Sequence, residues 1–193
     1  MLNNLDKYKI LLASNSPRRR ELLAGLDISY EVTALPDIDE SFPAELPGEE
    51  IPVYIAKNKA AAYGDQMQED TLLITADTIV WSEGKVYGKP SDATDAKKML
   101  RALSGKTHQV ITGVCIRSAN KEKSFAAVSE VTFCELSDAE IDYYVTRYTP
   151  YDKAGSYGIQ EWIGYVGVEE MKGSYFNVMG LPIQRLYKEL QQF

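Results

Sequence analysis

Ser14-Asn15-Ser16-Pro17-Arg18-Arg19-Arg20 follows the short apolar run Ile10-Leu11-Leu12-Ala13. Pro17 suits the first position of a helix, where its missing N–H would have no partner in any case. Arginines beside the positive end of a helix dipole are unfavourable unless an anion stands close. A phosphate supplies that charge, held by free backbone N–H groups, serine hydroxyls and guanidinium groups. A solvated arginine run on a surface helix is the competing reading. The strand–turn–helix setting favours phosphate.

Asp77 is the second residue with chemistry to explain. It is embedded in Leu72-Leu73-Ile74-Thr75-Ala76-Asp77-Thr78-Ile79-Val80, and a bare charge in such a strand costs several kcal/mol. It therefore needs a metal, a lysine or backbone donors; an aspartate bonded to nearby N–H groups at a strand kink is the alternative. The turn Ser82-Glu83-Gly84-Lys85 can carry Lys89 back towards the level of Asp77, with Pro90 fixing the exit. A carboxylate beside a lysine at a sheet edge suits a metal-bound phosphate. Asp37, Asp39 and Glu40 add carboxylates in a loop bracketed by Pro36 and Pro43, a pattern equally common in solvated loops. Lys57 and Lys59 lie two apart on a predicted helix, so one faces a site and the other faces solvent. Gly105-Lys106-Thr107 matches the end of a Walker A loop, but Leu100 stands where glycine is required. Tyr143, Tyr144, Tyr148, Tyr151 and Tyr157 are able to stack bases, yet in a helix and the loop after it they suit packing better.

These residues need a scaffold. Ile10 to Ala13 reads as a strand, Pro17 to Gly25 as a helix, and Ser29 to Leu35 as a second strand. Pro52 opens a helix through Ala62. A buried strand meets Asp77-Thr78 and resumes as Ile79-Val80-Trp81. Ser91 caps a helix to Leu103, with Gly105 beyond its end. His108 to Arg117 and Ser124 to Leu136 read as long strands joined by Asn120-Lys121-Glu122-Lys123. Ser137-Asp138-Ala139-Glu140 is a capping box for a helix to Arg147. Trp162 to Met179 is expected to form a strand hairpin around Lys172-Gly173, and Leu181-Pro182 to start a last amphipathic helix. The pattern predicts a single α/β domain, residues 1–193, with much antiparallel character.

The chain has 193 residues, with Lys+Arg 21 against Asp+Glu 28 and a net charge of −7. That balance argues against a general nucleic-acid coat, so an anion must be bound by a local basic site. Cys115 and Cys134 read as reduced, buried thiols. His108 is the one histidine, which disfavours His-rich zinc sites and His-dependent hydrolases and leaves carboxylates to hold a magnesium or manganese ion. With no signal-peptide core and no bilayer-length apolar run, a cytoplasmic protein free of membrane is expected.

Ser14-Asn15-Ser16-Pro17-Arg18-Arg19, Ala76-Asp77-Thr78, Gly88-Lys89-Pro90, Leu103-Ser104-Gly105, Asp152-Lys153-Ala154-Gly155-Ser156-Tyr157-Gly158-Ile159-Gln160 and Met179-Gly180-Leu181-Pro182 stand in one order. Over nearly its whole length the chain resembles the Maf-like nucleoside triphosphate pyrophosphatases. It is most similar to the branch acting on dTTP and UTP, whose mark is the block ending at Gln160. Ser156, where alanine is frequent, is a mild departure.

The resemblance implies an elongated fold like that of inosine triphosphate pyrophosphatases. Its parts would be a mixed twisted sheet, flanking helices and two lobes around a central nucleotide cleft, often in a homodimer. It implies that Asp77 is the catalytic acceptor carboxylate and that Arg18, Thr78 and Gln160 govern substrate choice. Ser16, Arg19, Glu40, Lys59 and Lys89 would contact phosphate or metal, Lys89 acting with Asp77 in catalysis. A magnesium or manganese ion held by Asp77 and Glu40 would bind the triphosphate. The expected reaction cuts dTTP, UTP or a modified pyrimidine nucleotide to monophosphate and pyrophosphate, a house-cleaning role with a link to cell-division arrest. A regulator of septum formation without turnover, a purine pyrophosphatase and a single-strand RNA-binding module remain as alternatives, the last disfavoured by the acidic charge.

Overall fold

The computed structural model describes residues 2–35, 38–64 and 67–193. Pro36 and Asp37 of the acidic loop lie outside the described residues. The elements run β1 (Lys9–Ala13), α1 (Pro17–Ala24), β2 (Glu31–Thr33), α2 (Ile51–Ala61), β3 (Thr71–Ser82), β4 (Lys85–Tyr87) and α3 (Ala93–Leu103). They continue with β5 (Thr107–Arg117), β6 (Glu122–Phe133), α4 (Asp138–Tyr148), α5 (Trp162–Val166), β7 (Val168–Lys172), α6 (Tyr175–Met179) and α7 (Ile183–Gln191). The strands form one sheet in the order β2-β1-β3-β5-β6-β7, with β4 paired to β3. β1 is parallel to β2 and to β3. β4 and β7 run antiparallel to β3 and β6. The sheet is mixed, as the alternation of helices and long strands predicts.

Local chemistry sets most element ends. Ser16 caps α1 through its hydroxyl, which accepts the Arg19 N–H at 3.4 Å, with Pro17 at the first turn. The capping box on α4 is present, with Ser137 and Glu140 exchanging hydrogen bonds. α3 is capped by Asp92 rather than by Ser91. The Asp92 carboxylate accepts the Asp95 N–H at 2.8 Å, while the Ser91 N–H donates to Asp95 Oδ2 at 3.0 Å.

Two further expectations are corrected. β3 runs unbroken through Asp77 and Thr78, so no kink supplies donors to the carboxylate. Trp162 to Met179 is not a hairpin: one strand, β7, lies between two five-residue helices, α5 and α6. β7 pairs with β6, Val131 opposite Met171, across a bulge at Thr132/Phe133.

The chain gathers into two compact units. The first comprises Met1–Asp77, Thr112–Ala127 and Gly180–Phe193; the second comprises Thr78–Ile111 and Val128–Met179. Ala56, Ala60, Tyr63, Leu73 and Cys115 form a core in the first, with Leu11 and Ala13 packed on it. In the second, Val80, Leu100, Leu103, Val131, Phe133, Tyr144 and Tyr157 belong to another core. Cys115 and Cys134 are free thiols, the first buried and the second half-buried. Among the described residues no helix is long and apolar enough to cross a membrane.

Candidate active site

β1 and β3 are parallel with Ala13 opposite Thr75. Ser14–Ser16, leaving the carboxyl end of β1, therefore starts at the level of Ala76 and Asp77, the kind of strand end where open α/β sheets bind ligands. The turn is built from its own side chains. Ser14 Oγ accepts the Ser16 N–H at 3.2 Å, and Arg20 Nε and Nη2 lie 3.4 Å from the Ser14 carbonyl oxygen. Arg19 donates from Nε to the Gly180 carbonyl at 2.7 Å and from Nη1 to the Ala76 carbonyl at 2.9 Å. It thus fixes the residue before Asp77. Burial pulls its pKa below the ordinary value, against the opposing pull of Asp77.

Asp77 finds its counter-charge on α2. Lys59 Nζ lies 2.8 Å from Asp77 Oδ1 and 2.8 Å from Glu40 Oε1. The Lys59 and Asp77 side chains are 14% and 13% exposed, against 50% for Glu40. This is a nearly buried pair with one carboxylate open to solvent. Lys57, two residues earlier, points away, half exposed and 3.4 Å from Glu122. The helix is held down by small residues and one polar tie. Ala56 and Ala60 are fully buried, and the Thr75 hydroxyl donates to the Ala56 carbonyl at 2.7 Å. Gly113 on β5 admits the start of α2: a Cβ there would stand 2.2 Å from Pro52 C and 2.3 Å from Val53 N.

The second unit holds Thr78, Lys89 and Gln160. Thr78 follows Asp77 on β3 and is half-buried. Lys89 leaves the β3–β4 ladder exposed, just beyond the Val80–Tyr87 pair. Gln160 closes a loop that is otherwise buried from Gly155 to Ile159, and its Oε1 is itself buried with no hydrogen-bond partner among the described residues. Such an acceptor costs about 1–3 kcal/mol while it stays unsatisfied. The Gly155 N–H of the same loop donates to the Gly88 carbonyl at 3.0 Å, next to Lys89.

The structure thus joins Ser16, Arg19, Glu40, Lys59 and Asp77 in one unit, with Arg18, half-buried, on the first turn of α1. Sequence reasoning missed three parts. Thr75 as the tie to α2 has no local signal. Gly113 does have one, because a glycine inside an apolar strand marks a close approach. Lys153, buried between Asp152 at 2.7 Å and Glu161 at 3.0 Å, stands in the Asp152–Gln160 block with no local sign of that pairing. As for metals, the described residues hold no group of three or more histidine, cysteine or carboxylate side chains placed to bind one ion. Asp77 and Glu40 are the carboxylates that converge on one cation, the Lys59 ammonium. Two hard oxygen donors suit magnesium or manganese, ions that take further ligands from phosphate and water.

The family model described as Maf-like protein matches residues 9–193. A dTTP/UTP pyrophosphatase of Phocaeicola vulgatus is 66% identical over 192 residues, covering 100% of both chains. Proteins of the same name from Parabacteroides distasonis and Flavobacterium johnsoniae are 60% and 47% identical, over 100% and 96% of this chain and 100% and 95% of theirs. Among solved structures, a HAM1 protein from Coxiella burnetii has a similar fold, with TM-score 0.52 at 17% identity, over 96% of this chain and 100% of that one. A match over residues 9–193, nearly the entire length, makes this chain a member of the Maf-like protein family.

Proposed function

We propose that the chain is a nucleoside triphosphate pyrophosphatase that hydrolyses dTTP and UTP between the α- and β-phosphates. Relatives of full length carry that activity in their names. The observation that carries the reading in this molecule is the Glu40–Lys59–Asp77 array, set beside the serine- and arginine-lined turn at the end of β1.

Asp77 is the base. Its carboxylate takes a proton from the water that attacks the α-phosphorus; the bridging P–O bond breaks and pyrophosphate leaves with the electron pair. Lys59 compensates the nearly buried Asp77 charge and keeps the carboxylate in one orientation. Arg19 holds the Ala76 carbonyl, and with it the backbone at Asp77. Ser16, Arg18 and Lys89 bind phosphate oxygens and stabilise the charge that grows on them. Asp77 and Glu40 would hold a magnesium or manganese ion, which would supply neutralisation of the triphosphate charge and a more acidic water.

Gln160 reads the base, and Arg18 and Thr78 share in substrate choice. A Gln160 N–H turned to the base would donate to an acceptor such as O4 of uracil or thymine. Cytosine presents an amine at that position, donor against donor, and is disfavoured. The substrates are cytoplasmic metabolites, and we infer that location for the chain.

The test is pyrophosphate release from a panel of nucleoside triphosphates with magnesium or manganese, wild type beside Asp77→Asn. Release from dTTP and UTP that disappears in Asp77→Asn supports both activity and base. Tight nucleotide binding with no release from either protein overturns the reading.

A further inference from the structure

Five residues of the second unit form a chain of polar contacts along the segment that carries Gln160. Lys153 Nζ lies 3.0 Å from Glu161 Oε1 and 2.7 Å from Asp152 Oδ1, and its side chain is 10% exposed. The Tyr144 hydroxyl donates to Glu161 Oε2 and accepts the Gly158 N–H at 3.0 Å. Burial, and after it the bond to Glu161, pushes the Tyr144 pKa up, so the phenol stays a donor. The Lys153–Glu161 pair also closes over Gly158, where a Cβ would stand 2.9 Å from Glu161 Cδ and 3.0 Å from Lys153 Cε. The residues flanking Ile159-Gln160 are therefore fixed by charge, hydrogen bond and steric fit together.

None of these groups has a part in the proposed chemistry. A nearly buried ion pair is weak evidence for stability, since apolar residues of similar volume often serve as well. A base-reading task would give it a role. A glutamine amide turned by half a rotation exchanges its donor and acceptor ends. A freely turning amide would then match uracil or thymine in one orientation and cytosine in the other. Discrimination requires a fixed orientation, and a fixed orientation requires a fixed backbone on both sides.

We propose that Lys153, Glu161 and Tyr144 are positioning residues that set the orientation of the Gln160 amide and thereby the choice between pyrimidine bases. The inference rests on the pyrophosphatase reading and on Gln160 as its base reader.

The experiment measures kcat and KM for dTTP and dCTP by pyrophosphate release with magnesium. It compares wild type, Gln160→Ala, Tyr144→Phe, Glu161→Gln, Lys153→Met and Lys153→Arg, with a thermal midpoint for each. Tyr144→Phe, Glu161→Gln and Lys153→Met should each lower the dTTP-to-dCTP ratio of kcat/KM about tenfold. The loss should fall mainly on KM for dTTP, with kcat within about threefold of wild type. Lys153→Arg, which keeps the charge between its two carboxylates, should recover most of the ratio. Two outcomes overturn the inference alone: an unchanged ratio in folded Tyr144→Phe and Glu161→Gln while Gln160→Ala loses discrimination, or an equal fall in kcat for both nucleotides. A wild type that releases no pyrophosphate, or a Gln160→Ala protein with the wild-type ratio, overturns the premise and the inference with it.

Discussion

Gly113→Ala tests the packing that places Lys59. The added Cβ would stand 2.2 Å from Pro52 C, 2.3 Å from Val53 N and 2.4 Å from Pro52 O. Carbon atoms in contact sit about 3.5–4.0 Å apart, so the start of α2 must retreat by more than about 1 Å. The obstacle is helix backbone, which has no rotamer with which to yield. Overpacking of this kind costs about 1–3 kcal/mol, occasionally more, and a backbone clash belongs at about 3 kcal/mol. In a chain of this size that lowers the thermal midpoint by about 6–12 °C. Lys59 lies two turns further along the same helix, so the 2.8 Å contact with Asp77 is disturbed as well. Pyrophosphate release should fall about tenfold or more, as for other small misplacements of a catalytic group. Gly64→Ala, where a Cβ meets nothing within 4 Å, is the control and should shift stability by less than about 0.5 kcal/mol. Thermal melts and steady-state rates on the three proteins decide. A Gly113→Ala protein melting within about 2 °C of wild type would refute the packing argument.

Lys59→Met should slow release by about two to three decades in kcat/KM, whereas Lys57→Met, on the solvent-facing side of α2, should leave rates within about twofold. Equal effects in the two variants would remove the assigned role of Lys59. Lys89→Ala should cost about two to three decades in turnover, and a normal kcat there would exclude it from the chemistry. His108 is 2% exposed, and burial lowers its pKa from 6.5 to about 4. The folded chain therefore binds the His108 proton less readily than the unfolded chain. Its contribution is complete above pH 6.5 and is lost as pH falls towards 4, about 3 kcal/mol in all. His108→Gln should flatten the urea-stability profile between those pH values; a slope equal to that of wild type would show that His108 does not titrate in this way.

Much of this site is legible because its signals are local. Ser16 and Pro17 declare a helix start through the orphan donors of its first turn, and the Ser137–Glu140 box does the same for α4. The spacing of Lys57 and Lys59 alone requires opposite faces, and the faces are as different as spacing predicts, one lysine half exposed and the other nearly buried. What was illegible depends on partners far along the chain. β7 reads as half of a hairpin, yet its partner is β6, about forty residues earlier, and no local pattern encodes that pairing. The helices on either side of it are five residues long, too short for periodicity to speak.

The arginine run shows where local reasoning stops for a physical reason. A dipole argument treats Arg18, Arg19 and Arg20 alike, as cations awaiting an anion. The folded chain separates them by what each can reach. Arg20 turns back to the Ser14 carbonyl, and Arg19 reaches the Ala76 and Gly180 carbonyls. Arg19 and Arg20 thus give donors to backbone oxygens before any phosphate arrives. Carbonyls carry partial charge only, so Arg19 keeps its field at the site while its position is fixed, the condition under which a cation stabilises developing charge without reorganising. By this reasoning Arg19→Lys retains the charge but cannot span two carbonyls with one ammonium. It should lower kcat more than it raises KM, because it loosens the backbone at Asp77 rather than removing a phosphate contact. A steady-state measurement that found only KM changed would place Arg19 on the phosphate and not on Asp77.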